Sequence, residues 1–148
     1  MTDWARDMAE KLKRINQSQE LRDAKFLELQ RVKRELGPKI WSALKSDISA
    51  ESISLNREIG REIITTDKNS SADEVILVGN IDGRIRRSYV QFEVESGKLT
   101  YKTERGFSDN FELYVGPDGK IEFYSGMIPY RTVSIARQIL EKLLESDI

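Results

Sequence analysis

Glu74 to Ser125 is the stretch that most limits what this chain can fold into, because turn chemistry and side-chain alternation there agree on five consecutive antiparallel strands. Val75 to Ile81 and Arg84 to Glu95 flank Asp82-Gly83, a dipeptide suited to a type I′ turn with φ > 0 at both positions. That turn sets Ile81 opposite Arg84. Val75/Val90 and Leu77/Ser88 then share one face, with Ile76/Tyr89 and Val78/Arg87 on the other. Ser96-Gly97 is read as a second two-residue turn, pairing Val94 with Leu99, Phe92 with Tyr101 and Val90 with Thr103. Around Pro117-Asp118-Gly119 a three-residue loop matches Val115 to Ile121 and Leu113 to Phe123, as a type I turn followed by an αL bulge residue. Glu62 to Thr66 is a candidate sixth strand, and Gly126 to Arg131 reads as the lead into a final helix.

Upstream, Thr2 or Asp3 can cap a helix that carries Trp4, Met8, Leu12 and Ile15 on one face. The stripe stops at Asn16 to Glu20, where the helix either continues as a solvated turn or breaks. A helical period resumes at Leu21, Ala24, Phe26, Leu29, Val32 and Leu36. Proline is costly inside a helix, so Gly37-Pro38 predicts a new start or a sharp kink. A second amphipathic helix follows through Ile40, Trp41, Leu44, Ile48 and Leu55, with Gly60 as its C-terminal cap. Thr132 can cap the last helix, whose stripe of Ile135, Ala136, Ile139, Leu140, Leu143 and Leu144 suits the apolar sheet face.

The fold class is therefore α+β: N-terminal amphipathic helices, an antiparallel five- or six-stranded meander, and a C-terminal helix on the apolar face. The division is a helical arm (1–36) and an α+β domain (37–148), forming a single folding unit.

The chain has no cysteine and no histidine, which excludes thiolate chemistry, disulfides, the commonest general base and the commonest transition-metal ligand. Its net charge of −1 gives no global attraction to nucleic acid or anionic membranes. Asp67 to Asp73 alternates oxygen-bearing side chains as a calcium loop does, but Ala72 stands where the turn glycine is required and Val78 where the distal glutamate is. A polar surface loop is expected. No catalytic, cofactor-binding or metal-binding residue is assigned, and an enzyme is the least supported class. With no signal peptide or apolar span in view, the expectation is a cytoplasmic protein without membrane contact.

The sheet face opposite the core presents Ile76, Val78, Ile85, Tyr89, Tyr114 and Tyr124 among Arg87, Gln91 and Lys102, more apolar surface than water alone would favour. The first expectation is that the N-terminal helices lie across part of it, making a helix, sheet, helix sandwich; the other is a ligand or partner surface. Arg84, Arg86 and Arg87 beside Tyr89 suggest nucleic-acid contact, yet strand alternation divides them between faces. Glu93, Glu95 and Glu104 also neutralise the neighbourhood, so a salt-bridged edge is expected.

The order of segments, with Lys25-Phe26 leading to Gly37-Pro38-Lys39-Ile40-Trp41, Asn56 near a helix end, a Gly-Pro-Asp-Gly turn and a Leu-rich final helix, resembles uncharacterised bacterial helix–meander–helix proteins. That resemblance implies a fold and no activity. The functional expectation is a noncatalytic interaction or scaffold protein, self-associating as a homodimer through Trp4, Met8, Leu12 and Ile15. The alternative is small-ligand or nucleic-acid binding at Ile76, Val78, Arg87, Tyr89, Lys102, Tyr114 and Tyr124. Two placements of the arm stay open: binding another chain, or folding back at Asn16 to Glu20 onto Ile76, Val78 and Tyr89.

Overall fold

A computed structural model describes residues 2–145. One 58-residue helix, α1 (Thr2–Ile59), is followed by seven strands and a closing helix. The strands are β1 (Ile64–Thr66), β2 (Glu74–Ile81), β3 (Arg84–Glu93), β4 (Lys98–Thr103), β5 (Ser108–Val115), β6 (Ile121–Ser125) and β7 (Ile128–Tyr130), and the helix is α2 (Thr132–Leu144). The strands pair antiparallel in chain order, forming one meander of seven, where five or six were expected from sequence. β7 has almost no sequence signature because it is only Ile-Pro-Tyr, and proline disqualifies a central strand but not an edge one.

The β2–β3 register is the one read from sequence, with Asp82 at φ 53° and Gly83 at φ 79°. The β5–β6 hairpin likewise pairs Val115 with Ile121 and Leu113 with Phe123, and Gly119 has φ 80°. The β3–β4 turn differs. Phe92 lies opposite Leu99, Val90 opposite Tyr101 and Ser88 opposite Thr103, a slip of two residues from the two-residue-turn reading. Four residues, Val94 to Gly97, make the connection, closed by the Gly97 N–H donating to the Glu93 carbonyl at 2.8 Å with Gly97 in the left-handed region (φ 68°). A shift of two preserves the strand faces, so the buried set was still assigned to the correct side.

The core lies on a single face of the sheet, and both helices cover it. Val75, Leu77, Val90, Phe92, Leu99, Tyr101, Phe111, Leu113 and Phe123 from the strands pack with Trp41, Leu44 and Ile48 of α1 and with Ile135, Ala136, Ile139, Leu140 and Leu143 of α2. Trp41 stacks on Phe92 at 5.6 Å between ring centroids, and Phe92 meets the edge of Phe123 at 6.0 Å. The Leu143 side chain lies over Gly79, where an added Cβ would come within 3.3 Å of its Cγ. The expected sandwich is therefore wrong: α1 docks beside α2 and does not cross the opposite face. An apolar stripe shows that a helix must be covered, not which of two sheet faces will cover it.

Gly37-Pro38 neither starts a helix nor ends one. Gly37 is buried, with the Phe92 ring and Leu113 pressed where a side chain would begin (3.2 Å to Phe92 Cζ from an ideal Cβ), while Pro38 faces solvent. Proline in a helix interior costs about 3 kcal/mol. Lys33 and Gly37 on one side and Trp41, Leu44 and Ile48 on the other are all buried, so docking offsets that cost across the site. The boundary between arm and domain drawn at that dipeptide thus falls inside a continuous helix.

Gly60 ends α1 as expected, at φ 85°, its N–H donating to the Asn56 carbonyl at 2.9 Å. The Asn56 side chain then acts as a piece of strand: its Oδ1 accepts from the N–H groups of Ile63 (2.9 Å) and Ile64 (3.0 Å), and its Nδ2 donates to the Ile64 carbonyl (2.9 Å). This pins β1 beside the helix end. Thr132 does not cap α2. The N-cap is Arg131, without a side-chain capping bond, and the Thr132 hydroxyl donates to Asp47 Oδ2 at 2.6 Å, tying the two helices together.

Candidate interaction surfaces

Two surfaces hold the residues singled out from sequence, and the structure keeps them apart. Trp4, Met8, Leu12 and Ile15 belong to the N-terminal part of α1, where every residue from 3 to 28 is exposed. At 1.5 Å per residue this length rises about 39 Å clear of the sheet. The helix runs unbroken through Asn16 to Glu20, so the arm does not fold back onto Ile76, Val78 and Tyr89. Trp4 is 72% exposed, against 4% for Trp41 in the core.

Helical phase relates the arm to the domain. Lys33 is buried, with its Nζ 3.5 Å from Glu112 Oε1 and its Cδ beside Gly97, so its side of α1 is the one the sheet covers. Phe26, Gln19 and Leu12 lie one, two and three heptads before Lys33, and Leu29, Arg22, Ile15 and Met8 fill the alternate positions of the same repeat. The face that docks on the sheet below Lys33 thus continues up the arm, where nothing else in the described residues covers it. Phe26 and Leu29 belong to the same stripe as Met8, Leu12 and Ile15, and sequence reading separated them. The signal was a spacing of three and four residues sustained from Met8 to Leu29, obscured by polar Gln19 and Arg22 within it.

The second surface is the outer sheet face. Ile76 is buried there, Val78, Arg87, Tyr89 and Tyr124 are half-buried, and Lys102 and Tyr114 are exposed. Ile76 and Tyr89 are cross-strand partners, as are Val78 and Arg87, and Tyr89 and Lys102. Tyr114 and Tyr124 meet edge to face at 6.0 Å, and the Tyr114 hydroxyl donates to Glu112 Oε2 at 2.6 Å. That bond, with Lys33 behind it, holds the Glu112 carboxyl below its ordinary value, and the same bond raises the Tyr114 hydroxyl. Lys33 also lies 4.9 Å from the Tyr114 ring centroid, linking the foot of the arm to this face. Ile85 is exposed at the far end of β3.

The arginines divide between faces as strand alternation required. Arg87 faces outward and pairs with Glu104 at 3.4 Å, whereas Arg86 is buried on the helix side and donates through Nη1 to the Leu144 carbonyl at 3.0 Å. In the β1–β2 loop Asp67 Oδ1 accepts from the Asn69 N–H at 2.8 Å and Ser70 Oγ from the Ile76 N–H at 3.0 Å, so these oxygens organise the loop. Among the described residues there is no cluster of three acidic side chains positioned for a metal, and no helix long and apolar enough to cross a membrane.

Comparison with known proteins found no matching family model, and no significant match to a curated protein or a solved structure. The functional reading rests on the two surfaces alone.

Proposed function

We propose that this chain is a noncatalytic interaction module whose helical arm binds a second copy of the chain. The observation that carries the reading is the arm's uncovered apolar stripe, in phase with the face that the sheet buries farther along the same helix. An isolated helix has only marginal stability in water, and packing of its amphipathic face normally supplies the rest. A row of Met8, Leu12, Ile15 and Phe26 held in water gains that packing when a second apolar helix face covers it.

Sedimentation velocity of the full chain across micromolar concentrations tests this. A dimer is expected, and Leu12→Glu with Ile15→Glu dissociates it without changing the near-ultraviolet spectrum of the domain, since both residues lie outside the core. A monomer at every concentration overturns the proposal.

A second reading concerns the outer sheet face and is favoured by the placement of both helices on the other side. Tyr89, Tyr124, Arg87 and Lys102 offer aromatic area and cations to a small ligand or a nucleic-acid strand. Binding of a single-stranded oligonucleotide that weakens steeply with salt and is lost in Tyr89→Ala supports it; no binding at low salt removes the nucleic-acid form.

A further inference from the structure

Resting on the self-association reading, we infer that the two arms pair antiparallel, with Leu12 against Leu29, Ile15 against Phe26 and Gln19 against Arg22 of the second copy. Sterics favour this direction. The domain sits on the same side of α1 as the arm's apolar stripe, because Lys33 and Gly37, which touch the sheet, continue that stripe. Two parallel helices joined along this stripe would each run, below Phe26, into the space that the other's sheet occupies. Reversing one helix confines the conflict to the residues ahead of Met8, since each arm then passes the other and its domain lies beyond that end.

The side chains along the stripe favour the same direction. It reads apolar at Leu12 and Ile15, polar at Gln19 and Arg22, and apolar again at Phe26 and Leu29. It is therefore nearly symmetric about a point between Glu20 and Leu21. Antiparallel pairing about that point sets apolar layers against apolar ones and lets the Gln19 amide oxygen accept from the Arg22 guanidinium twice, once on each side of the axis. A parallel pair would stack Arg22 on Arg22. Sliding the antiparallel pair by one heptad towards the N-terminus puts Arg22 against Leu12 and brings Lys11 near Lys25, burying a charge on an apolar layer and opposing two cations. Polar layers inside a helical seam commonly fix register in this way.

The overlap also fits the length of the arm. Met8 of one chain comes level with Lys33 of the other, the first residue of α1 buried against the sheet, so the seam ends at Met8, and the residues ahead of it, with Trp4 level with Gly37, meet the edge of the partner's domain. The assembly is a rod with a domain at each end, the outer sheet face left open on both.

The absence of cysteine makes the test direct. Ile15→Cys and Phe26→Cys chains are prepared separately, then mixed and oxidised. A covalent heterodimer that forms from the mixture and from neither variant alone is expected. Spin labels at Glu10→Cys, outside the seam, should lie about 32 Å apart, the rise of the roughly 21 residues that separate the two levels at about 1.5 Å each. Homodimeric cross-linking of Ile15→Cys alone, with labels closer than about 20 Å, indicates parallel arms; it overturns this arrangement and leaves self-association standing. In a dimeric sample, failure of either expected readout overturns the pairing. If the unsubstituted chain sediments as a monomer, both proposals fall.

Discussion

Phe92 sits where α1 meets the sheet, and truncating it is the most searching perturbation of the core. Its ring is 2% exposed, stacks on Trp41, meets Phe123 edge-on, and fills the space left by the missing side chain of Gly37. Phe→Ala in a core costs about 3–5 kcal/mol, and two aromatic neighbours, each contributing about 0.5–1.5 kcal/mol beyond area, place Phe92→Ala near the top of that range. Phe92→Leu, which keeps most of the volume, should cost about 1–2 kcal/mol. Trp41 reports the change in urea denaturation followed by fluorescence, with exposed Trp4 a nearly constant background. A double-mutant cycle with Gly37→Ala isolates the contact. Alanine gains about 1 kcal/mol over glycine in an open helix, but here its Cβ would sit 3.2 Å from Phe92 Cζ, so the gain should be absent with Phe92 in place and return in the Phe92→Leu background. A loss below about 2 kcal/mol for Phe92→Ala, or the same Gly37→Ala effect in both backgrounds, would refute the packing and with it the passage of α1 over β3.

Asn56→Ala removes three hydrogen bonds to Ile63 and Ile64 and should cost about 2–4 kcal/mol, with Asn56→Asp intermediate because it keeps the acceptor; unchanged hydrogen-exchange protection of those amides would disprove the role. Gly97→Ala should destabilise by about 1–3 kcal/mol, since its φ is positive and a Cβ would meet Leu113 and Lys33 at 3.2 Å; an unchanged urea midpoint contradicts the four-residue turn. Burial pushes the Tyr101 hydroxyl up to about 12 from 10.0, despite the Gln138 amide donating to it and with Asp109 adding to the rise. Because this folded value lies above the unfolded one, the contribution to stability is complete below pH 10 and is lost as pH rises through 12. Phenolate absorbance should show a late-titrating tyrosine that disappears in Tyr101→Phe.

The outer face and the arm were legible to different degrees. Val78 and Tyr89 were placed correctly because a two-residue turn at Asp82-Gly83 and strict alternation determine which side chains share a face, and Tyr124 because the three-residue loop at Pro117-Asp118-Gly119 does the same for the β5–β6 hairpin. That no helix among the described residues would cover them was not legible, since covering a face is a long-range event with no local signature. Trp4, Met8, Leu12 and Ile15 were recognised as a stripe, but its continuation through Phe26 and Leu29 needed the unbroken helix to fix the rotational phase.

By itself the sequence determined strand order and faces, the Asp82-Gly83 and Pro117-Asp118-Gly119 turns, the Gly60 cap and the amphipathic character of both helices. Each of these depends on residues a few positions apart, where sterics and periodicity act without help from distant chain. Only the tertiary structure decided the register across Val94 to Gly97, the unbroken helix through Gly37-Pro38, the edge strand at Pro129 and the docking of α1 beside α2. In these places a local preference of a few kcal/mol was outweighed by burial: Phe92 needs the space at Gly37, and Trp41, Leu44 and Ile48 complete a core that α2 alone leaves open.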